Sequence, residues 1–268
     1  MIPTPPTSGQ EPIWYFAYGS NIQVSVLTRR GIKPLDIQSV VVPTHYLTFD
    51  IFGIPYTEPS FASIAPFPVG KKTTLHTHGV TRDVPAVQGL AYLLVPADYR
   101  QLVISEGGGI AYNEIEVNAL ILDENGQPAP EHVDAPLIAR TLQAKYPWRP
   151  NGAPSARYLT LISTGCAEST PLTKYKSYID SLPSYSALAV QNSFNTRLGA
   201  LLFLCLWQPP QRLLVRLIRV KTDENGHSPA WLGWVILTLY GWMWAWHDYV
   251  HAIVCGRGDG VKLEFRDC

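Results

Sequence analysis

The sequence has no surplus of either charge: 21 Lys and Arg stand against 21 Asp and Glu, and charged residues of all kinds make up 16% of its 268 positions. Bulk charge therefore supplies no attraction to nucleic acid or to a strongly charged partner, and nucleic acid is not expected as one. Cysteine is scarce. Cys166, Cys205, Cys255 and Cys268 form no CxxC pair and keep no regular spacing, which leaves neither a disulfide framework nor a thiolate zinc site and fits a reducing, cytoplasmic setting. No basic segment followed by an apolar core opens the chain. Its first twelve residues, MIPTPPTSGQEP, are instead rich in Pro, so a short disordered lead-in over residues 1–12 is expected in place of a secretory leader. No unit recurs at a fixed period, which sets repeat architectures aside.

What the chain does have is apolar residues, 46% of the total with eight Trp. The aromatic run Trp14 to Tyr18 stops at Gly19, as a buried strand does on leaving into a tight turn. Ser20 or Asn21 can cap a helix running to about Arg30, with Arg29 and Arg30 in its last turn and Gly31 as a left-handed stop. Further strands are expected over residues 40–52, 88–95 and 114–122. Pro96 opens a helix, PADYRQLVIS, that ends at Ser105 immediately before Glu106-Gly107-Gly108-Gly109. From Asp134 the period reads as helical, with Leu137, Ile138, Thr141, Leu142 and Lys145 on one face. Two more helices are expected, one over 154–162 with Gly165 as its stop, and one from Thr170-Pro171 that buries Leu172, Tyr175, Ile179 and Leu182. Strands first and helices later indicate an α+β domain.

After Tyr185 the character changes. Leu198–Trp207 is apolar but too short to span a bilayer, and Pro209-Pro210 is expected to break it. Arg212, Arg216 and Arg219 then recur on a short basic amphipathic helix, and Ala230–Trp246 is uncharged and holds five Trp. Two readings stand for residues 198–250: contact with a membrane surface or bilayer, or packing onto the catalytic domain or a second subunit. His247-Asp248-x-x-His251 and His76-Thr77-His78 invite a metal, because two His four apart share a helix face. Interfacial polar anchors are the simpler account of the first, and no metal site is assigned.

A strand that turns at Gly into a helix start presents successive N–H groups to a carboxylate or oxyanion. On residue types alone, Glu106 before three Gly is a solvated loop residue, and Tyr18 and Tyr112 are core aromatics. The motifs are more telling. Phe16-Ala17-Tyr18-Gly19-Ser20-Asn21 resembles the signature loop of the γ-glutamylcyclotransferase family. Ile104-Ser105-Glu106-Gly107, followed by Tyr112 and Ile115-Glu116-Val117, is similar to the family's glutamate-glycine segment and its next strand. Pro154-Ser155-Ala156-Arg157-Tyr158-Leu159, with Gly165 and Tyr178, resembles its closing helix pair. The resemblance covers about residues 13–185.

This resemblance implies an α+β fold with a mixed, barrel-like sheet and flanking helices. It implies release of 5-oxoproline and a free amine from a small γ-glutamyl amide, by attack of the substrate's own α-amine on its γ-carbonyl. Glu106 would be the general base, with apolar Val103, Ile104 and Ile110 disfavouring its charged form by desolvation. Tyr18, Gly19, Ser20, Asn21, Ile22 and Tyr112 would bind substrate, the loop amides serving either its carboxylate or the oxyanion. Because the nucleophile belongs to the substrate, neither metal nor cofactor is required. Ile22 departs from the Met or Leu that commonly follows the tetrapeptide.

The chain divides into a lead-in (1–12), a catalytic domain (13–190) and an apolar helical extension (191–268). The extension resembles that of fungal family members from gliotoxin-type biosynthesis, which implies a glutathione-conjugated metabolite as substrate. A general glutathione or γ-glutamyl-amine cyclotransferase, and a binding module without catalysis, are the alternatives.

Overall fold

In the computed structural model, residues 11–77, 79–147, 151–186, 194–223 and 227–267 are described. Most of the lead-in, His78, Cys268 and the 190/191 boundary fall outside them. Strand β1 (Ile13–Ala17) carries the aromatic run, with Tyr15, Phe16 and Ala17 buried. It pairs antiparallel with β7 (Val87–Leu94) and, through Tyr15 opposite Arg140, parallel with β9 (Leu137–Ala144). With β2 (Asp36–Val42) and β8 (Tyr112–Ile121) these strands close a barrel in the order β1-β7-β2-β8-β9. Closure leaves no free edge, and inward residues such as Phe16, Val40, Ala91 and Ala119 fill the interior.

The helix expected from Asp134 is strand β9. Its first half also alternates: Ala139 and Thr141 are buried while Ile138 and Arg140 face outward. The barrel needs a fifth strand between β8 and β1, and that pairing overrides the local helical period. The strand expected over 40–52 is two, since the chain turns at Pro43-Thr44 into β3 (His45–Ile54), which forms a hairpin with β4 (Glu58–Pro66). The helix expected from Ser20 begins instead as a 3₁₀ turn, Ser20–Ile22, followed by α1 (Val24–Arg29) and by Gly31 at φ 76°.

Helix α2 (Pro96–Ser105) delivers Glu106 as its C-cap, and the three glycines that follow all take positive φ, 94°, 57° and 75°. Side-chain-bearing residues rarely adopt such a run. Beyond the short α3 (Pro130–Val133), helix α4 (Ala156–Ala167) is capped by Ser155, whose Oγ accepts from Tyr158 N–H at 3.0 Å. Gly165 lies inside this helix, not at its end. A methyl there would collide with Ile22 Cγ2, so glycine lets α4 rest directly on the 3₁₀ turn. Helix α5 (Thr173–Asp180) follows a 3₁₀ turn at Thr170–Leu172 and buries Tyr175 and Ile179.

The extension starts with α6 (Phe194–Lys221), which runs straight through Pro209 and Pro210. Each proline forfeits a backbone hydrogen bond, at about 3 kcal/mol in a helix interior. Packing on either side, by Ala200 and Phe203 before the pair and Leu214 after it, holds the helix together. The apolar stretch and the basic stretch are thus one helix of 28 residues, and among the described residues it is the one helix long and apolar enough to cross a membrane. Helix α7 (Ala230–Trp246) passes through a π-helical turn (His247–His251) into α8 (Ala252–Cys255).

The chain then returns to the first part of the molecule. Strand β11 (Lys262–Asp267) inserts between β10 (Asn151–Gly152) and β5 (Thr73–Thr77), with β6 (Val80–Asp83) at the outer edge of that sheet. Elsewhere the extension is pinned by Trp244 Nε1–H to Gly53 O (3.0 Å) and by Tyr56 O–H to Gly256 O (2.6 Å). Ser228 N–H donates to Gly108 O (3.0 Å), and Ile110 packs among Leu214, Leu232 and Ile236. The loop that follows Glu106 is therefore held from outside by the extension.

Candidate active site

The turn after β1 and the C-cap of α2 meet at one buried recess. Tyr15, Tyr18, Gly19, Ser20, Asn21, Ala62, Glu106, Tyr112 and Tyr158 border it, and it has room for about 20 Å³. Glu106 Oε1 accepts from Arg30 Nη1 at 2.6 Å and from Asn21 Nδ2 at 3.0 Å. The hydrogen-bond partners of the carboxylate are thus a guanidinium and an amide, while Val103 and Ile110 line the adjoining spaces together with Glu106. Asn21 also donates to Tyr15 Oη at 3.2 Å. Its own Oδ1 has no hydrogen-bond partner, although the residue is 95% buried. An unmet acceptor at that depth is costly unless a ligand supplies the donor.

Four phenols line the recess, and each is pushed above its ordinary pKa, chiefly by burial. Tyr158 is pushed up to about 12, so all four are neutral hydroxyls near pH 7. Two have their proton committed to the backbone. Tyr18 donates to Leu142 O, and Tyr112 donates to Ala62 O at 3.2 Å. Tyr158 differs: its oxygen accepts from Ala62 N–H at 3.3 Å, and no backbone carbonyl among the described residues takes its proton.

Tyr18, Gly19, Ser20, Asn21, Glu106 and Tyr112, expected together from sequence, are brought together here. Ile22 is placed apart. Its side chain is fully buried beneath α4, its N–H donates to Gly19 O at 3.0 Å, and its carbonyl accepts from Tyr92. The tight 3₁₀ turn uses that amide internally, so it does not face the recess.

Tyr15, Arg30, Ala62 and Tyr158 were not singled out for the site. Arg30 and Tyr158 each sat in segments read for helix ends or helix packing, and nothing in their spacing aims them at Glu106. Arg157, also left out of the site, pairs with Glu58 at 2.6 Å.

Residues that could hold a metal are His247, Asp248 and Asp259, whose ligand atoms lie within 4.8 Å of one another. Those atoms are already engaged. Asp259 receives Arg257 Nη2 at 2.7 Å and Lys262 Nζ at 2.5 Å, His247 Nδ1 faces Asp248 at 2.9 Å, and His247 Nε2 accepts from Gly258 N–H at 3.3 Å. Two fixed cations against the same carboxylate compete with a third. His247 is also fully buried against Tyr56, Phe203 and Trp244, which corrects the expectation of an interfacial anchor.

Residues 193–254 match the model of the AclK C-terminal domain. Over 257 residues the chain is 66% identical to the γ-glutamyl cyclotransferase gliK of Aspergillus fumigatus, covering 95% of this chain and 92% of that one. It is 34% identical to the γ-glutamyl cyclotransferase aclK of Aspergillus oryzae, covering 93% and 90%. A solved γ-glutamyl cyclotransferase structure superposes with a TM-score of 0.48 at 17% identity, over 65% of this chain and 90% of that one. With two relatives matched over nearly their whole length, extension included, this chain belongs to the γ-glutamyl cyclotransferase family.

Proposed function

We propose that the recess at Glu106 receives the α-ammonium of a γ-glutamyl amide, the rest of which extends out of the recess, and that the amide is cyclised there to 5-oxoproline with release of the amine. The observation that carries this reading is the buried, unpartnered Asn21 Oδ1 on the residue that hydrogen-bonds Glu106. A carboxylate and a carbonyl oxygen side by side, among neutral phenols, suit an ammonium group, which brings three donors and a positive charge. The substrate's α-ammonium takes the place of Arg30 as the partner of Glu106. Glu106 then accepts a proton, and the freed α-amine forms a C–N bond to the γ-carbonyl, closing a five-membered ring. Tyr158 O–H donates to the oxyanion. Collapse breaks the original amide C–N bond: the departing nitrogen takes the proton held by Glu106, and the ring nitrogen gives its second proton to the carboxylate so freed, from which it passes to the released amine. Tyr18, Gly19, Ser20 and Tyr112 shape the walls, and the chemistry calls for no metal or cofactor.

The substrate is a glutathione-type conjugate of a secondary-metabolite intermediate, in keeping with the gliK and aclK relatives and the shared extension. Residues 13–190 form the catalytic unit and 191–268 the extension. The protein works in the cytoplasm with the extension against a membrane surface, a placement favoured by the outward apolar stripes of α6 and α7.

The test is 5-oxoproline release from glutathione and from a glutathione S-conjugate, wild type against Glu106→Gln. We expect release by wild type and a loss of at least about 100-fold in the variant, the scale of general-base removal. No release from either compound by wild type, or an unaffected variant, would overturn the reading.

A further inference from the structure

A cleft of about 540 Å³ opens directly from the recess, and Ser20, Glu106, Tyr112 and Tyr158 border both. That volume falls in the range of small-molecule sites, roughly 300–1,000 Å³. The cleft has two unlike sources. Ile51 and Phe52 of β3 and Phe61 of β4 form its inner wall, while Val215 and Ile218 of α6 with Ile236, Leu237 and Tyr240 of α7 form the facing one. The Phe52 and Tyr240 rings touch, with centroids 5.1 Å apart, and join the two walls at one side of the cleft. One wall thus belongs to the extension, and it is apolar where it faces the reacting centre.

Resting on the reading of Glu106 given above, we propose that this cleft is the subsite for the amine side of the substrate, and that the α6–α7 wall selects a large apolar substituent there. Continuity fixes the occupant. The recess seats the α-ammonium at Asn21 and Glu106 and is too small for the rest, which extends into an adjoining space; one such space, of about 200 Å³, is lined by Asn113, Glu114, Lys145 and His227, and the larger, apolar one is the cleft. An unsubstituted cysteinyl-glycine leaving group offers little apolar area to Val215, Ile218, Leu237 and Tyr240. A ring-bearing thioether covers them and displaces water from both walls. Arg29 stands at the mouth and makes no ion pair among the described residues. There it meets the carboxylate at the peptide end of the same leaving group. The extension is therefore a specificity element of the catalytic site.

The experiment compares kcat/KM for S-benzylglutathione and for glutathione, read as a ratio, in wild type and two variants. Leu237→Trp fills the cleft, and Val215→Asp places a charge on its wall at a half-exposed position that tolerates one. Wild type should favour the conjugate by at least about tenfold, the discrimination expected of a small difference in apolar contact. Each variant should bring the ratio down at least about fivefold while melting cooperatively. A wild-type ratio of one or below, or folded variants that both keep the wild-type ratio, would overturn the subsite while leaving the activity at Glu106 standing. Absence of 5-oxoproline from both compounds would instead overturn the functional reading itself.

Discussion

The Tyr158 hydroxyl receives a hydrogen bond from Ala62 N–H and gives its proton to no backbone carbonyl among the described residues. Burial pushes the phenol up to about 12, so that proton stays on across the working range. Tyr158→Phe should lower kcat about 100-fold or more with little change in KM, the pattern of a donor used in the transition state. Steady-state kinetics on glutathione check it, and an unchanged kcat would assign the hydroxyl to packing alone. At this scale the sequence was readable where a motif named the residue, as for Tyr18 to Asn21 and Glu106. It was opaque where the chemistry depends on which partner a side chain finds. Tyr18 and Tyr158 look alike in a sequence, yet one proton is held by Leu142 O and the other by no backbone carbonyl among the described residues. Arg30 was legible as a helix-end cation, but its contact with Glu106 spans 76 positions.

Among the elements, the π-helical turn His247–His251 has the plainest solution signature. Burial holds the His247 imidazole below its ordinary value, opposed in part by Asp248 and Asp259. The unfolded chain therefore takes up this proton at a higher pH than the folded one. Its stability contribution is full above the unfolded value of about 6.5 and drains as pH falls from there toward the folded value. Burial penalises the charge of Asp259, yet hydrogen bonds from Arg257 and Lys262 outweigh it and hold that carboxyl below its usual value. Its contribution is likewise lost on acidification, at lower pH. Tm should thus fall between pH 7 and 5, with His247 supplying a slope of at most about 1.4 kcal/mol per pH unit. His247→Gln should flatten the decline, as measured by thermal melts across that range, and identical slopes would remove His247 from the account. Elements with their own stop signals, such as α2 from Pro96 to Ser105, were legible at both ends. Strand β9 and the continuous α6 were not, because a barrel closure and the packing on both sides of Pro209-Pro210 are decided far away in the chain.

On the whole molecule, the extension presents two opposite faces. Leu198, Leu202, Leu206 and Leu213 follow helical spacing on one stripe of α6, and Trp231, Trp234, Trp242 and Trp246 do so on α7, all outward. Their opposite faces bury Phe203 and Leu214, and Leu232 and Met243, against the rest of the protein. Trp234 and Trp242 are each 69% exposed, and clustered exposed apolar side chains mark interaction surfaces. The full chain should float with phosphatidylcholine–phosphatidylserine vesicles on a density gradient, and Trp234→Ser with Trp242→Ser should not. Failure of the full chain to float would end the membrane reading, and flotation of both would take the Trp stripe out of it.

Strand β11 gives the extension a second attachment, far from its first. The extension cannot simply be pruned, because any chain stopped short of Lys262 would lose the strand between β10 and β5 and leave the hydrogen-bonding groups of β5 bare along one side. Bare strand edges recruit one another. A shortened protein would thus sediment or pellet through self-association between copies, whatever its affinity for lipid or substrate. Strand β11 covers that edge with the exposed, charged Glu264, Arg266 and Asp267, which discourage further pairing, so the extension contributes to colloidal stability.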